Sequence, residues 1–360
     1  MKPVVVGVTG LAAGVGLQCF VFKRLPDQYR IKWVCDLDAD KIKKTVAEYG
    51  GTGTQNYDEM LNDPEVELVT IATPVTTHAS LAKKALTAGK HVLLEKPITA
   101  SVAEADDLVA LAKKSKGILC IDHQRRLFAN QKVIQNVIKN AQLGRILSVR
   151  LDLPLAGGSG IDHQAEPRTW EKRLLQSHLY DYMVHHVDQI CAALGEKPKQ
   201  IFARYQTMTG CDIPVEMEIL LTMPAGVLAS VNLRYSHAPD SKWAVDGEKA
   251  TLRMQFANDM GSCFIYQRQS DGSLKTWEIQ PPHLTHTIDS ETDDWRPKAG
   301  SEIYGFTNLD AHLEFYQHLF VAIRHGRPVP ASAADARDAI KIIWLAIESA
   351  KTGKVVEFKV

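Results

Sequence analysis

Val4-Val5-Val6-Gly7-Val8-Thr9-Gly10-Leu11-Ala12-Ala13-Gly14-Val15-Gly16 joins a short apolar run to a glycine-rich turn. An apolar run without polar alternation suits a strand buried on both faces. The glycines that follow let the chain bend tightly into a helix, read here over residues 14–25. The same rhythm repeats outward from this unit. Strands are expected at residues 31–35, 66–72, 91–94 and 118–122, and helices at residues 39–49, 77–88 and 102–114. Gly89 stands where a helix-stopping glycine would. Strands alternating with helices predict a doubly wound parallel sheet that binds ligands at the carboxyl ends of its strands.

After residue 123 the rhythm changes. A helix at residues 132–141 and a half-buried strand at 145–153 are followed by one long helix over residues 174–194. Strand-like runs then follow with no helix between them, at residues 200–205, 216–223, 227–235, 250–256, 263–267 and 274–279. That succession predicts a large open, mostly antiparallel sheet. Residues 280–308, rich in Pro, Thr, Asp and Gly, read as a long loop; two helices (309–324 and 333–351) and a short strand (355–358) close the chain. The expected organisation is a Rossmann domain over residues 1–123 and an α/β domain over residues 124–360, which would bind substrate and support oligomerisation.

The 360 residues carry 42 basic and 42 acidic side chains, so the formal net charge is zero. With no basic run there is no electrostatic reason to expect nucleic acid or an anionic membrane as partner. The six cysteines are scattered, with no Cys-x-x-Cys spacing, which argues against a disulfide framework or a zinc–cysteine site and for a reducing compartment. The first residues read as a buried strand rather than a signal peptide, and no run approaches the roughly 18 apolar residues of a membrane span. A cytoplasmic location is expected.

In the first turn, Gly10, Ala12, Ala13 and Gly14 would let backbone N–H groups approach a pyrophosphate at a helix N-terminus. Alanines stand where a clean G-x-G-x-x-G would carry glycine, so the turn alone is weak support. Asp36 strengthens it: the residue ends the second strand ~20 residues past the turn, where an acid accepts from a ribose 2′-hydroxyl. Asp38 reads as the cap of the next helix. Two carboxylates here would repel a 2′-phosphate and favour NAD over NADP. The turn also resembles that of short-chain dehydrogenases, but no tyrosine in this chain has a lysine four residues on, so their Tyr-x-x-x-Lys pair is missing.

His91-Val92-Leu93-Leu94-Glu95-Lys96-Pro97 ends a parallel strand at the ligand-binding edge. Taken alone, Lys96 reads equally well as a donor to a substrate hydroxyl and as half of a surface ion pair. Together with Ile71-Ala72-Thr73-Pro74, His78 and Ala88-Gly89-Lys90-His91-Val92, this block resembles the Gfo/Idh/MocA oxidoreductase family, named for glucose-fructose oxidoreductase and inositol dehydrogenase. The resemblance extends to His325-Gly326-Arg327-Pro328 and covers nearly the whole chain. It implies hydride transfer with a bound nicotinamide cofactor. It places Thr73, Pro74, His78 and Gln124 along that cofactor, with Glu95 and Lys96 near the nicotinamide end.

The long helix carries Ser177-His178-Leu179-Tyr180-Asp181-Tyr182-Met183-Val184-His185-His186-Val187-Asp188. Asp181 and His185, four apart, would share a helix face. Oxidising an alcohol needs a base for the hydroxyl proton while the carbinol hydride leaves, and histidine suits that task near neutral pH. The segment resembles the family's Asp-x-x-x-His motif. That match implies His185 as base, Asp181 as substrate-binding acid and Lys96 as catalytic lysine. His186 replaces an acid of the family pattern and reads as a packed side chain. A metal held by His178, His185, His186 and Asp188 is disfavoured, because the four span almost three turns. The resemblance carries Arg126 over to a position that reaches substrate hydroxyls. His178 shares the face of Asp181 and would touch substrate, and Trp170 reads either as a stacking platform for a sugar or as a plug at the domain junction.

These readings converge on an NAD-dependent dehydrogenase of a sugar, glycoside or cyclitol. The alternatives are a redox-neutral glycosidase that keeps NAD bound, and an NAD-binding regulator without chemistry. Apolar residues on the later strands (Leu220, Val227, Val231, Leu233) are expected to form a face that pairs with its copy in a homodimer or homotetramer.

Overall fold

The opening apolar run forms β1 (Val4–Thr9), every residue of which is buried. The computed structural model describes residues 1–12, 18–154, 169–210, 212–235, 243–254, 263–279 and 309–359. They divide into two compact units, Met1–Gln124 with Leu313–Lys341 and Arg125–His312 with Ile342–Val360. Residues 313–341, which the sequence assigned to the second domain, thus cluster with the first unit.

In the first unit the elements run α1 (Phe20–Arg24), β2 (Tyr29–Cys35), α2 (Ala39–Tyr49), β3 (Thr52–Thr54), α3 (Tyr57–Asn62), β4 (Leu68–Ile71), α4 (Val75–Thr87), β5 (His91–Leu94), α5 (Val102–Ala112) and β6 (Leu119–Ile121). The six strands form one sheet in the order β3-β2-β1-β4-β5-β6. All neighbours pair in parallel. The order reverses beside β1, so the turns after β1 and β4 flank the switch point where such sheets take ligands. β3 and α3 were not foreseen: Thr52-Gly53-Thr54 has no apolar run, and α3 is a short helix opened by Asn56, whose side chain accepts from the N–H of Asp58. Phe22, Tyr29, Tyr316 and Phe320 form an aromatic cluster, with Phe22–Tyr29 and Phe22–Tyr316 centroids 4.8 and 5.2 Å apart.

The second unit contains α6 (Ala129–Lys139), β7 (Ile146–Pro154), α7 (Trp170–Gln176), α8 (His178–Asp181), α9 (Met183–Leu194), β8 (Gln200–Gln206), β9 (Glu216–Thr222), β10 (Leu228–Arg234), β11 (Trp243–Gly247), β12 (Thr251–Met254), β13 (Cys263–Arg268), β14 (Leu274–Ile279) and, after helices α10 (Leu309–His325) and α11 (Ala333–Thr352), β15 (Val356–Glu357). Nine strands form one sheet, ordered β14-β13-β12-β11-β7-β10-β9-β8-β15. Only β7 and β10 pair in parallel; the other neighbours are antiparallel. The predicted architecture is the observed one. The expected loop at 280–308 lies outside the described residues.

Two expectations need correction. The single helix over residues 174–194 is broken into α7, α8 and α9. Ser177 adopts an extended conformation (φ −77°, ψ 156°), with its hydroxyl donating to Leu174 O at 2.6 Å. At Tyr182 the ladder tightens, with His185 N–H donating to Tyr182 O, three residues back, at 3.1 Å. The apolar face assigned to the later strands is also not one face. Val227, Val231 and Leu233 are buried, whereas Leu220 is 42% exposed. Leu220 shares its side of β9 with Glu216 and Glu218, by the alternation of a strand. These acids pair with arginines, Arg204 to Glu218 at 2.8 Å and Arg234 to Glu216 at 3.2 Å, so this side of the sheet is a ladder of ion pairs. Among the described residues no helix is long and apolar enough to cross a membrane.

Candidate active site

At the carboxyl edge of the parallel sheet, Gly10 follows β1 with φ +88°, and a Cβ there would lie 2.5 Å from Ala72 O. Only glycine fits, because the turn after β1 passes directly against the end of β4. Asp36, at the end of β2, reaches into this turn: its Oδ2 accepts the Leu11 N–H at 2.6 Å and its Oδ1 accepts the Asp38 N–H at 3.0 Å. Each oxygen retains a lone pair for a further donor. Asp38 caps α2, accepting from the N–H groups of Asp40 and Lys41. Ala12 is exposed. Ala13 and Gly14 lie outside the described residues.

The end of β4 and the end of β5 are tied together by His78. Its Nδ1 is 2.9 Å from Pro97 O and its Nε2 2.8 Å from Thr73 O, and the residue is 1% exposed. Burial pushes the imidazole pKa below the ordinary histidine value, while the carbonyls of Pro97 and Thr73 pull it upward. Both nitrogens being committed to backbone, His78 serves as a clamp between the Thr73-Pro74 and Lys96-Pro97 turns. Thr73 Oγ1 is bonded to Thr77 Oγ1 at 2.7 Å, and Pro74 is the exposed N-cap of α4. The Lys96–Pro97 peptide is cis.

The rest of the family-like block has structural work. Lys90 Nζ donates to the carbonyls of Asp63 and Val66, each at 2.8 Å, and His91 Nδ1 accepts the Ile118 N–H at 3.2 Å. Glu95 is 6% exposed and Lys96 half-buried. Gln124, in the short turn after β6, is 9% exposed, and its Oε1 is buried without a hydrogen-bond partner. That acceptor, the glycine-only turn and the Asp36 oxygens form a donor and acceptor set that fits a dinucleotide.

In the second unit, Asp181 ends α8 and His185 lies in the first turn of α9, the former half-buried and the latter 3% exposed. His186 is fully buried, and its Nδ1 lies 3.1 Å from Tyr182 O, a packing contact.

 

The His178 ring stands edge-on to the Tyr182 ring, with centroids 5.2 Å apart. Trp170 opens α7, and its side chain lies outside the described atoms. Arg126 is held by a two-pronged ion pair with Asp188, Nε to Oδ2 at 2.7 Å and Nη2 to Oδ1 at 2.6 Å. The neighbouring Arg125 is 8% exposed and feels the charges of Tyr182 and Asp181. Burial pushes its pKa down to about 10, against the opposing pull of Tyr182 and Asp181. Its guanidinium lies 5.9 Å from the Tyr182 ring centroid. Sequence reasoning missed Arg125 and the Asp188 partner of Arg126; two adjacent arginines look alike until a partner 62 residues away selects one. Among the described residues no group of three or more His, Cys, Asp or Glu side chains is placed to hold a metal.

A family model described as "Oxidoreductase family, NAD-binding Rossmann fold" matches residues 1–123, and one described as "GFO/IDH/MocA C-terminal domain" matches residues 132–253. The chain is 24% identical over 346 residues to scyllo-inositol 2-dehydrogenase (NADP(+)) IolW of Bacillus subtilis, covering 92% of this chain and 89% of that protein. It is 24% identical over 227 residues to a dTDP-3,4-didehydro-2,6-dideoxy-alpha-D-glucose 3-reductase of Streptomyces antibioticus, covering 62% and 67% of the two chains. Among solved structures, the WlbA dehydrogenase of Chromobacterium violaceum, in complex with NADH and UDP-GlcNAcA, superposes with a TM-score of 0.77 at 18% identity, covering 100% of this chain and 97% of that one.

Proposed function

The chain belongs to the Gfo/Idh/MocA oxidoreductase family, and from that premise we propose that it transfers a hydride between a nicotinamide dinucleotide and a secondary alcohol of a sugar, glycoside or cyclitol. The observation that carries this reading is the place of Lys96, on the same carboxyl edge of the sheet as Gly10, Asp36 and Thr73. The relatives named above support the substrate class, since they act on a cyclitol or on a nucleotide-linked sugar by their names.

The nucleotide supplies the hydride acceptor when bound. Backbone N–H groups of the first turn would meet its phosphates, the Asp36 carboxylate a ribose hydroxyl, and Gln124 Oε1 a further donor. Asp36 favours NAD, although the Bacillus subtilis relative is named for NADP(+). Lys96 donates a hydrogen bond to the reacting hydroxyl oxygen and stabilises the charge that develops there as the proton leaves. His185, with a neutral imidazole, takes the hydroxyl proton in oxidation and returns it in reduction. Asp181 accepts from a neighbouring substrate hydroxyl and Arg125 holds the Asp181 charge in place. Arg126, His178 and Trp170 remain candidates for substrate contact; for Arg126 the Asp188 ion pair leaves fewer donors to offer.

The test is a panel of cyclitols and sugars offered with NAD and with NADP, read by the absorbance of the reduced nicotinamide. Turnover of at least one polyol supports the reading. Nucleotide binding with no turnover of any polyol in either direction would contradict it.

A further inference from the structure

β5 and β6 pair in parallel up to Leu94 and Ile121. The ladder continues one residue further: Glu95 N–H donates to Ile71 O at 2.9 Å, and Asp122 N–H to Leu94 O at 2.8 Å. Glu95 and Asp122 are therefore in-register neighbours at the sheet edge, 6% and 3% exposed, and Glu95 draws the Asp122 pKa down as a hydrogen-bond donor does. Ionised carboxylates only accept, so a bond between two of them needs a proton on one. Tyr316 Oη donates to Asp122 Oδ2 at 3.2 Å, and Tyr29 Oη donates to Tyr316 O at 2.6 Å, which fixes the pair from α10.

We propose that Asp122 is a positioning residue: it forms with Glu95 a buried acid pair holding one proton beside Lys96, and the charge of this pair biases the site between oxidised and reduced nicotinamide. The inference rests on the reading that places the nicotinamide end near Glu95 and Lys96. Burial pushes the Asp122 carboxyl up to about 6, against the opposing pull of Tyr316, Glu95 and Lys96. The groups that face it are Glu95 and Lys96 after β5 and Tyr316 from α10, with Tyr29 of β2 behind Tyr316 and the buried His123 next along the chain. Burial holds both tyrosines far above their ordinary range, so they stay hydroxyl donors. As pH rises through the Asp122 ionisation the pair gains one negative charge. The oxidised nicotinamide ring is cationic and the reduced ring neutral, so the added charge favours the oxidised form.

Two readouts on the full chain test this. Infrared spectra without nucleotide should show a protonated-carboxyl stretch that fades as pH rises through about 6. That titrating band should be absent in Asp122→Asn, whose amide does not titrate. In Tyr316→Phe it should fade at higher pH, because a donor to the ionised form is lost. Binding titrations should show the ratio of NAD to NADH affinity rising about three- to tenfold across the same range in the unsubstituted protein and staying flat in Asp122→Asn. A folded protein with no such band on the acid side, or an Asp122→Asn variant whose affinity ratio follows pH as before, would overturn the proposal. A titrating band in a protein that binds neither nucleotide would uphold the acid pair and overturn instead the nucleotide reading and the bias built on it.

Discussion

Asp36 Oδ2 accepts the backbone N–H of Leu11 at 2.6 Å, so the acid after β2 and the glycine turn after β1 hold each other. The carboxylate is thereby fixed where a ribose would meet it, and a 2′-phosphate would meet the same fixed negative charge. NAD should bind at least about tenfold more tightly than NADP, a difference of ~1.4 kcal/mol. Asp36→Ser should narrow the gap. Titration with both nucleotides measures it, and NADP binding as well as NAD would contradict the assignment.

His78 bridges two turns through backbone carbonyls rather than through a ligand. Replacing it by alanine leaves a backbone carbonyl oxygen short of the one imidazole N–H and opens a cavity, which should cost about 2 kcal/mol or more. The urea midpoint should drop, and nucleotide affinity should fall with it because the turns after β4 and β5 lose their tie. Unchanged stability would remove the clamp from the account.

The Arg126–Asp188 pair predicts a stability effect that a simple substrate ligand would not. Arg126→Met strands the buried Asp188 charge and should cost about 3–5 kcal/mol. Adding Asp188→Asn should recover much of that loss, since neither charge is then left alone. If Arg126→Met unfolds at the same urea concentration as the unsubstituted protein but raises KM, the arginine belongs with the substrate.

His312 is buried, and desolvation together with the Arg125 charge lowers its pKa to about 4. A depressed folded-state pKa gives stability that is present above the unfolded value of about 6.5 and lost as pH falls through the folded one. Between about pH 7 and about pH 4 the protein should lose up to ~3 kcal/mol on this account, and His312→Gln should lose less. Asp122 acts with the opposite sign, its raised pKa giving stability below about pH 4 that is lost as pH rises through about 6. The difference between the two proteins at each pH isolates His312; equal slopes would contradict it.

The parallel sheet was legible because β1, β4 and β5 are mostly apolar runs followed closely by glycine or proline, and such runs have few other uses. β3, α3 and β11 were not, being short and without apolar periodicity. The break at Ser177 and Tyr182 was hidden because Leu174, Leu179, Met183 and Ile190 keep a helical spacing straight through it. Lys96, Asp181 and His185 are assigned through motif resemblance alone. Asp122 drew no role, although an acid directly after the apolar run Ile118–Ile121 is itself a signal of a buried carboxyl. What it bonds to, Glu95 and the distant Tyr316, is set by strand pairing and by α10, neither of which spacing along the chain reveals.

The central claim is that Lys96 and His185 carry hydride-transfer chemistry. Its most direct test is the rate of nicotinamide reduction with the best polyol of the panel, measured beside nucleotide affinity, in Lys96→Ala, His185→Ala and His186→Ala. Lys96→Ala and His185→Ala should each lower kcat by about 10²-fold or more while nucleotide affinity stays close to that of the unsubstituted protein. His186→Ala, a packing substitution, should lose far less. Full turnover in both Lys96→Ala and His185→Ala would contradict the account, and loss of turnover confined to His186→Ala would shift the base by one residue.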